Sequence, residues 1–174
     1  MRDPLAATAG QGMDPGGAGV RMHAPEAAAF GERALRALGF SAEQAGVIAA
    51  HLVDSELCGY PALGLARILT ISEHAKFRLP RGEVRIVHET PCSALVDGGN
   101  LVGFYAAHRA ARIAIDKARA AGIALVGLHN SWLSGRNAHY LELISRAGLV
   151  AIHTACSAPV VAPLGGSRPA FGTN

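Results

Sequence analysis

Charge is scarce in this chain: only 17 % of its 174 residues are Asp, Glu, Lys or Arg, and the net charge is +3. The calculated pI of about 9.0 reflects a small excess of Arg. Those basic residues are scattered rather than gathered on one run, which argues against a nucleic-acid footprint. Cysteine is also sparse. Cys58, Cys92 and Cys156 stand far apart, with no CxxC and no His at zinc-ligand spacing, so reduced thiols in a cytoplasmic protein are expected. No apolar run reaches the roughly 18 to 20 residues of a membrane span. The N-terminus shows no basic region followed by an apolar stretch, so secretion is not expected. Four catalytic signatures are missing as well: GxGxxG after a strand, GxxxxGK[ST], HExxH and GxSxG. The histidines (His23, His51, His74, His88, His108, His129, His139 and His153) form no HxH pair and no pair spaced one helical turn apart. They therefore read as surface or satisfied core residues rather than metal ligands, and no metal site is expected.

What is present is apolar: half of the chain, enough for one domain with a core but not for two. Residues 1–24 are rich in Gly and Ala, carry Asp14-Pro15-Gly16-Gly17 and almost no bulky apolar residue, and read as a disordered extension. An ordinary extension or a start codon misassigned upstream of Met13 or Met22 fits this better than a transit peptide. From Pro25 the period becomes helical. Phe30, Ala34, Leu35 and Leu38 recur on one face, and Gly39 is placed to end the helix. Ser41-Ala42-Glu43-Gln44 has the form of a capping box, opening a helix to about Cys58 that should bury Ala45, Ile48, Ala49, Leu52, Val53 and Leu57. Gly59-Tyr60-Pro61 breaks it, and a third helix is expected from about Leu63 to Phe77.

Beyond Pro80 the period falls to two. Val84 to Val87 and Ala94 to Val96 read as strands, with Asp97-Gly98-Gly99-Asn100 as a turn. A long helix from Gly103 to Ala121 follows, closed by Gly122. Ile123 to Leu128 and Leu149 to Ala155 read as buried strands on either side of a helix from Asn137 to Ala147. The organisation expected is an extension (1–24), a helical section (25–80) and a partial α/β domain (81–174) with a mixed sheet. The end at Phe171-Gly172-Thr173-Asn174, with no closing helix or polar tail, reads as cut short.

Three collinear segments then carry a resemblance. The first is Gly59-Tyr60-Pro61-Ala62-Leu63-Gly64-Leu65-Ala66-Arg67. The second is Ala94-Leu95-Val96-Asp97-Gly98, an Ala-rich helix, and Gly122 through His129-Asn130-Ser131. The third is Ala147-Gly148-Leu149-Val150-Ala151-Ile152, then Ser157-Ala158-Pro159, Ala162-Pro163-Leu164-Gly165-Gly166 and Gly172-Thr173-Asn174. In this order they resemble the malate/L-lactate dehydrogenase family from about Phe40 onward. The first segment is similar to that family's R-G-x-x-S-H-G-x-x-R motif and the last to its G-T-N-P element.

The resemblance implies a distinctive α/β fold that is not Rossmann, a homodimer, and hydride transfer between NAD or NADP and a small 2-oxo or 2-hydroxy acid. It implies roles residue by residue. Arg67 matches the motif arginine, whose planar fork suits a substrate carboxylate, although a surface Arg on a helix would look the same. Ser157, Thr173 and Asn174 match elements that contact the dinucleotide, although a strand-end Ser before Pro is also an ordinary loop feature. The proton donor departs from the pattern. Ala62 and Leu63 occupy the Ser-His positions, and Leu133 occupies that of a second family histidine. Tyr60 and His129 are the nearest replacements, with turn packing and a strand-end polar residue as the plainer readings. Two outcomes stay open: a divergent oxidoreductase, or an inactive fragment or dimerising pseudoenzyme of the same family.

Overall fold

The computed structural model describes residues 20–172. The extension and the G-T-N residues Thr173 and Asn174 fall wholly or largely outside that range. Helix α1 (Ala24–Ala37) opens the described chain, with Pro25 in its first turn. It buries Leu35 and Gly31, whereas Phe30 lies half exposed. Helix α2 (Ala42–Leu57) begins at the expected capping box. Ser41 Oγ accepts from the Gln44 N–H at 3.2 Å and Gln44 Oε1 accepts from the Ser41 N–H at 3.1 Å, so two otherwise orphaned donors are satisfied. Ala45, Ile48, Ala49, Leu52 and Val53 are buried as expected, but Leu57 is exposed on the last turn. The helices pack closely where Gly31 meets Ala49: a Cβ on Gly31 would sit 3.2 Å from the Ala49 Cβ.

The third helix differs from expectation. It is divided into a 3-10 turn (Pro61–Leu63), α3 (Arg67–Glu73) and a second 3-10 turn (Ala75–Arg78). Two side chains cause the division. Glu56 Oε1 accepts from the Leu65 N–H at 2.7 Å and ties the loop to the end of α2. His74 is extended at ψ 135° and its Nδ1 accepts from the Lys76 N–H at 3.2 Å, which ends α3 and starts the next turn.

The three strands β1 (Arg85–Thr90), β2 (Ser93–Val102) and β3 (Leu125–Trp132) form a sheet in the order β1-β2-β3. The β1/β2 pair is antiparallel and the β2/β3 pair parallel, so the expected mixed sheet is present. Asp97-Gly98-Gly99-Asn100 is not a turn between elements. The strand runs through it with a register shift between Asp97 and Leu101, and Gly99 (φ 61°) and Asn100 (φ 54°) supply the irregular backbone. Helix α4 (Gly103–Ala121) has the expected span and buries Ala107, Ala110, Ala111 and Ile115. It lies across one face of the sheet and packs on α5 (Ala138–Arg146), where Ala107, Ala111 and Tyr140 form a small cluster with Leu128. The main core joins both parts: Leu35, Ile48, Leu52 and Ile71 from the helices meet Leu101, Val102, Phe104 and Trp132.

Leu149 to Ala155, expected as a buried strand, forms no strand. Its exposure alternates instead, with Val150 and Ile152 almost fully open and their neighbours half covered. The segment has the period of a strand but joins no ladder of the three-stranded sheet among the described residues.

Candidate functional site

The loop that leaves β3 is fixed at every step. Asn130 (φ 52°) and Leu133 (φ 54°) occupy the left-handed region, and Gly135 (φ 72°) follows. Trp132 holds the first part: its Nε1 donates to the Asn100 carbonyl at 3.0 Å, and its indole stacks on His74 at 4.4 Å between ring centroids. The loop then passes directly against the start of α4, where a Cβ on Gly103 would lie 2.9 Å from the Ser134 Cα. The Tyr140 hydroxyl shares its proton between the Ser134 carbonyl at 2.5 Å and the Gly103 carbonyl at 3.2 Å. Burial holds this phenol protonated far above its ordinary range.

Next comes a charged network that motif reading does not find. Arg136, 8 % exposed, donates through Nη2 to Asp54 at 2.5 Å and through both terminal nitrogens to Glu142 at 2.7 and 2.9 Å. His139 donates through Nδ1 to the same Asp54 oxygen at 2.9 Å. The hydrogen bonds from His139 and Arg136 outweigh desolvation and hold Asp54 below the usual carboxylate range. His51, fully buried one turn earlier on α2, accepts the Arg136 backbone N–H on Nε2 at 3.1 Å. Burial first, then the nearby His139 and Arg136, pushes the His51 imidazole down to about 3, so it is neutral at physiological pH. The only advance signal was spacing: His51 and Asp54 are three apart on one helix face.

A polar cavity of about 470 Å³ opens beside β2 and β3, lined by Glu83, Arg85, Asp97, Gly99, Asn100 and Asn130 among others. Asp97 organises it. Its Oδ1 accepts from the Gly99 N–H at 2.9 Å and from Asn130 Nδ2 at 2.8 Å, while Oδ2 accepts from Arg85 at 3.0 and 3.3 Å. These donors, the Gly99 amide foremost, bring the carboxyl down to about 2. Backbone strain at Asn100 and Asn130 therefore coincides with a satisfied carboxylate on a cavity wall, an arrangement typical of ligand sites.

The residues expected from sequence are placed as follows. Arg67 opens α3, is half buried, and forms no ion pair with any described residue. Tyr60 is exposed at the other end of the same loop, its N–H donating to the Ser55 carbonyl at 2.9 Å. His129 is exposed on β3 directly opposite Asp97, beside the cavity-lining Asn130. No hydrogen bond or ion pair joins Arg67, Tyr60 and His129 to one another among the described residues. The end of α2 does support both the 59–67 loop, through Ser55 and Glu56, and the 133–139 loop that follows the strand of His129, through His51 and Asp54. Ser157 lies against Gly172: a Cβ at 172 would come 2.0 Å from the Ser157 Oγ, so these two elements sit side by side. No cluster of three potential metal ligands occurs among the described residues.

Comparison with known proteins decides the lineage. The family model for malate/L-lactate dehydrogenase matches residues 22–174. The chain belongs to this family. It is 34 % identical to the malate/(S)-sulfolactate dehydrogenase of Methanothermus fervidus over 142 residues, covering 80 % of this chain and 42 % of that protein. It is 33 % identical over 169 residues to hydroxycarboxylate dehydrogenase B of Escherichia coli K12, covering 90 % of this chain and 44 % of the relative. The solved malate dehydrogenase of Pyrococcus horikoshii superposes with a TM-score of 0.69 at 28 % identity, covering 74 % of this chain and 38 % of that one. The chain thus spans less than half the length of the family members it matches. Within the family frame, the fold is the expected one: a helical section followed by a mixed α/β layer.

Proposed function

We propose that this chain supplies part of the active site of an oxidoreductase that moves hydride between a nicotinamide cofactor, NAD or NADP, and a small 2-oxo or 2-hydroxy acid. The observation that carries the reading is Arg67, which opens α3 just after a loop tied to α2 and forms no ion pair with any described residue. A planar fork that no described carboxylate engages suits a substrate carboxylate. Tyr60 and His129 are the proton-transfer candidates in place of the absent histidines, and both are open to solvent. On the cofactor side, Ser157 lies next to Gly172 and, with Thr173 and Asn174 in the sequence, matches the family elements that contact the dinucleotide. The cofactor would supply the hydride, and the chain's residues would hold the acid and move its proton. A homodimer in the cytoplasm completes the proposal.

Titrating the purified chain with NADH and NADPH, then adding a panel of 2-oxo acids, tests it. Saturable cofactor binding and cofactor oxidation are expected, with Arg67→Ala weakening acid binding by about tenfold or more. Absence of both binding and oxidation overturns the reading for this polypeptide. A second reading, a non-catalytic family member, is favoured by Leu63 and Leu133, whose side chains cannot carry a proton. Cofactor binding without turnover would select it.

A further inference from the structure

We infer that His51 and the Arg136 amide form an acid-released latch, which pins the loop between β3 and α5 to α2 at neutral pH and frees it when the solution turns mildly acidic. The latch itself does not rest on the proposed catalysis.

The reason is an exclusion at one atom. A neutral imidazole has one N–H and one lone pair, and His51 Nε2 accepts the Arg136 N–H at 3.1 Å, so the ring's own hydrogen sits on Nδ1. A second proton can add only at Nε2. Protonated His51 therefore cannot hold the Arg136 amide. The loop backbone also closes directly on that nitrogen, since a Cβ on Gly135 would lie 2.7 Å from it. Proton and loop compete for the same place.

The surroundings favour the neutral ring and a loop that can part from it. Arg136 and His139 face His51 from the loop and α5, with the two imidazole centroids 4.2 Å apart, and His108 faces it from α4. Arg109, Arg112 and Glu43 surround His108 in turn, and His153 stands against Tyr140, which contacts His51. The carboxylate facing the ring is Asp54, and it is already engaged by Arg136 and His139, while Glu142 pairs with Arg136. The closed form also leaves His51 Nδ1 and Arg136 Nε buried with no hydrogen-bond partner among the described residues. Opening lets water reach both, which removes a cost of the closed state. The apolar seal under α5 is small, made by Ala107, Ala111, Leu128, Tyr140, Leu143 and Ile144, and α5 contributes nothing to the main core. The loop and α5 can therefore leave α2 while that core stays closed.

Burial holds the His51 imidazole at about 3 in the folded chain, against about 6.5 when solvated. The closed latch is thus fully stable above the solvated value and weakens as pH falls through it toward 3. Between pH 7.0 and 5.5 the open population should rise about eightfold. The loop leads away from Asn130 on the wall of the Asp97 cavity, so opening would loosen that wall; this consequence alone rests on the proposed function.

Native-state hydrogen exchange of the whole 174-residue chain, at pH 7.0 and 5.5 in low urea and corrected for intrinsic rates, tests the latch. Exchange at residues 136–140 should accelerate about eightfold at the lower pH and stay independent of low urea, because a local opening exposes little surface. His51→Gln keeps an acceptor and does not titrate, so it should abolish the acceleration. Ring-nitrogen NMR shifts of the unsubstituted chain need no variant: at pH 7.0 His51 should be neutral with its hydrogen on Nδ1. Four results overturn the inference: a His51 hydrogen on Nε2 at pH 7.0, no acceleration, an acceleration that His51→Gln leaves intact, or exchange at 136–140 that follows β2 at every urea concentration and so reports global unfolding alone. None of these readouts depends on turnover.

Discussion

The helical section and the segment after α5 are built from the same kinds of residue and end in opposite states. Leu35, Ile48, Leu52 and Ile71 are completely buried, whereas Val150 and Ile152 stand in solvent. The difference lies in what each has to pack against. α1, α2 and α3 converge on Phe104 of α4 and Trp132 of β3 and close a shared core, while in the strand-like segment at 149–155 Val150 and Ile152 stay in solvent. Apolar sequence states a need for cover and does not by itself supply it. The comparison is most easily broken at its extremes. Phe104→Ala should cost about 4 kcal/mol, because it removes a fully buried ring and leaves a cavity. Ile152→Ser should change stability by less than about 0.5 kcal/mol, as exposed substitutions do. Urea melts of the two variants check this, and equal losses would refute the contrast.

Between the two regions runs the Arg136 network, which staples the 133–139 loop and α5 to α2. Arg136→Met should destabilise by about 2 kcal/mol, between the value for a buried pair and that for an exposed one, because Arg136 is enclosed while its partners Asp54 and Glu142 are partly solvated. Thermal denaturation would show it. A loss below about 0.5 kcal/mol would mean the two regions are joined by packing alone.

The pH response separates the regions further, because the deeply buried histidine belongs to the helical core. His51 is neutral in the folded chain, with its pKa lowered to about 3, and the unfolded value is near 6.5. Between these values the unfolded chain binds the extra proton, so stability falls as pH drops below 6.5 and continues to fall toward 3. The loss from pH 7 to 5.5 should be about 1 kcal/mol. Equilibrium unfolding at the two pH values measures it, and His51→Gln, which keeps an acceptor for the Arg136 N–H but cannot titrate, should flatten the response. An unchanged slope in that variant would assign the effect to another group.

Local signals explain how much could be read in advance. The capping box at Ser41, the span of α4 and the αL stop at Gly122 (φ 81°) are written in neighbouring residues, and the structure follows them. The divided third helix depended on Glu56 reaching nine residues ahead to the Leu65 N–H, which no periodicity encodes. The strand expected at 149–155 has the period of a strand, but among the described residues it joins no ladder, and ladder pairing is not written in neighbouring residues. The site shows the same limit. Motif order singled out Arg67, His129 and Ser157, whereas the Asp54–Arg136 pair joins residues 82 apart, and Asp97 meets Asn130 only because β2 and β3 lie side by side.

Leu133 gives the finest test, since it lies at the border of the closed region. It is half buried against the main core, and its φ of 54° is one that leucine adopts at a cost of about 1 kcal/mol. Histidine is several-fold enriched in that conformation. Leu133→His therefore gives up roughly 1 kcal/mol of half-buried apolar contact and recovers a similar amount of backbone strain. The expected net change is within about 0.5 kcal/mol, where the same substitution at fully buried Leu52 should cost several-fold more because an imidazole would be desolvated there without a partner. Chemical denaturation of the pair decides it. If Leu133→His is as damaging as Leu52→His, the loop is held by the leucine side chain itself; a near-neutral result means that Trp132, Tyr140 and Arg136 fix the backbone and leave position 133 free to change.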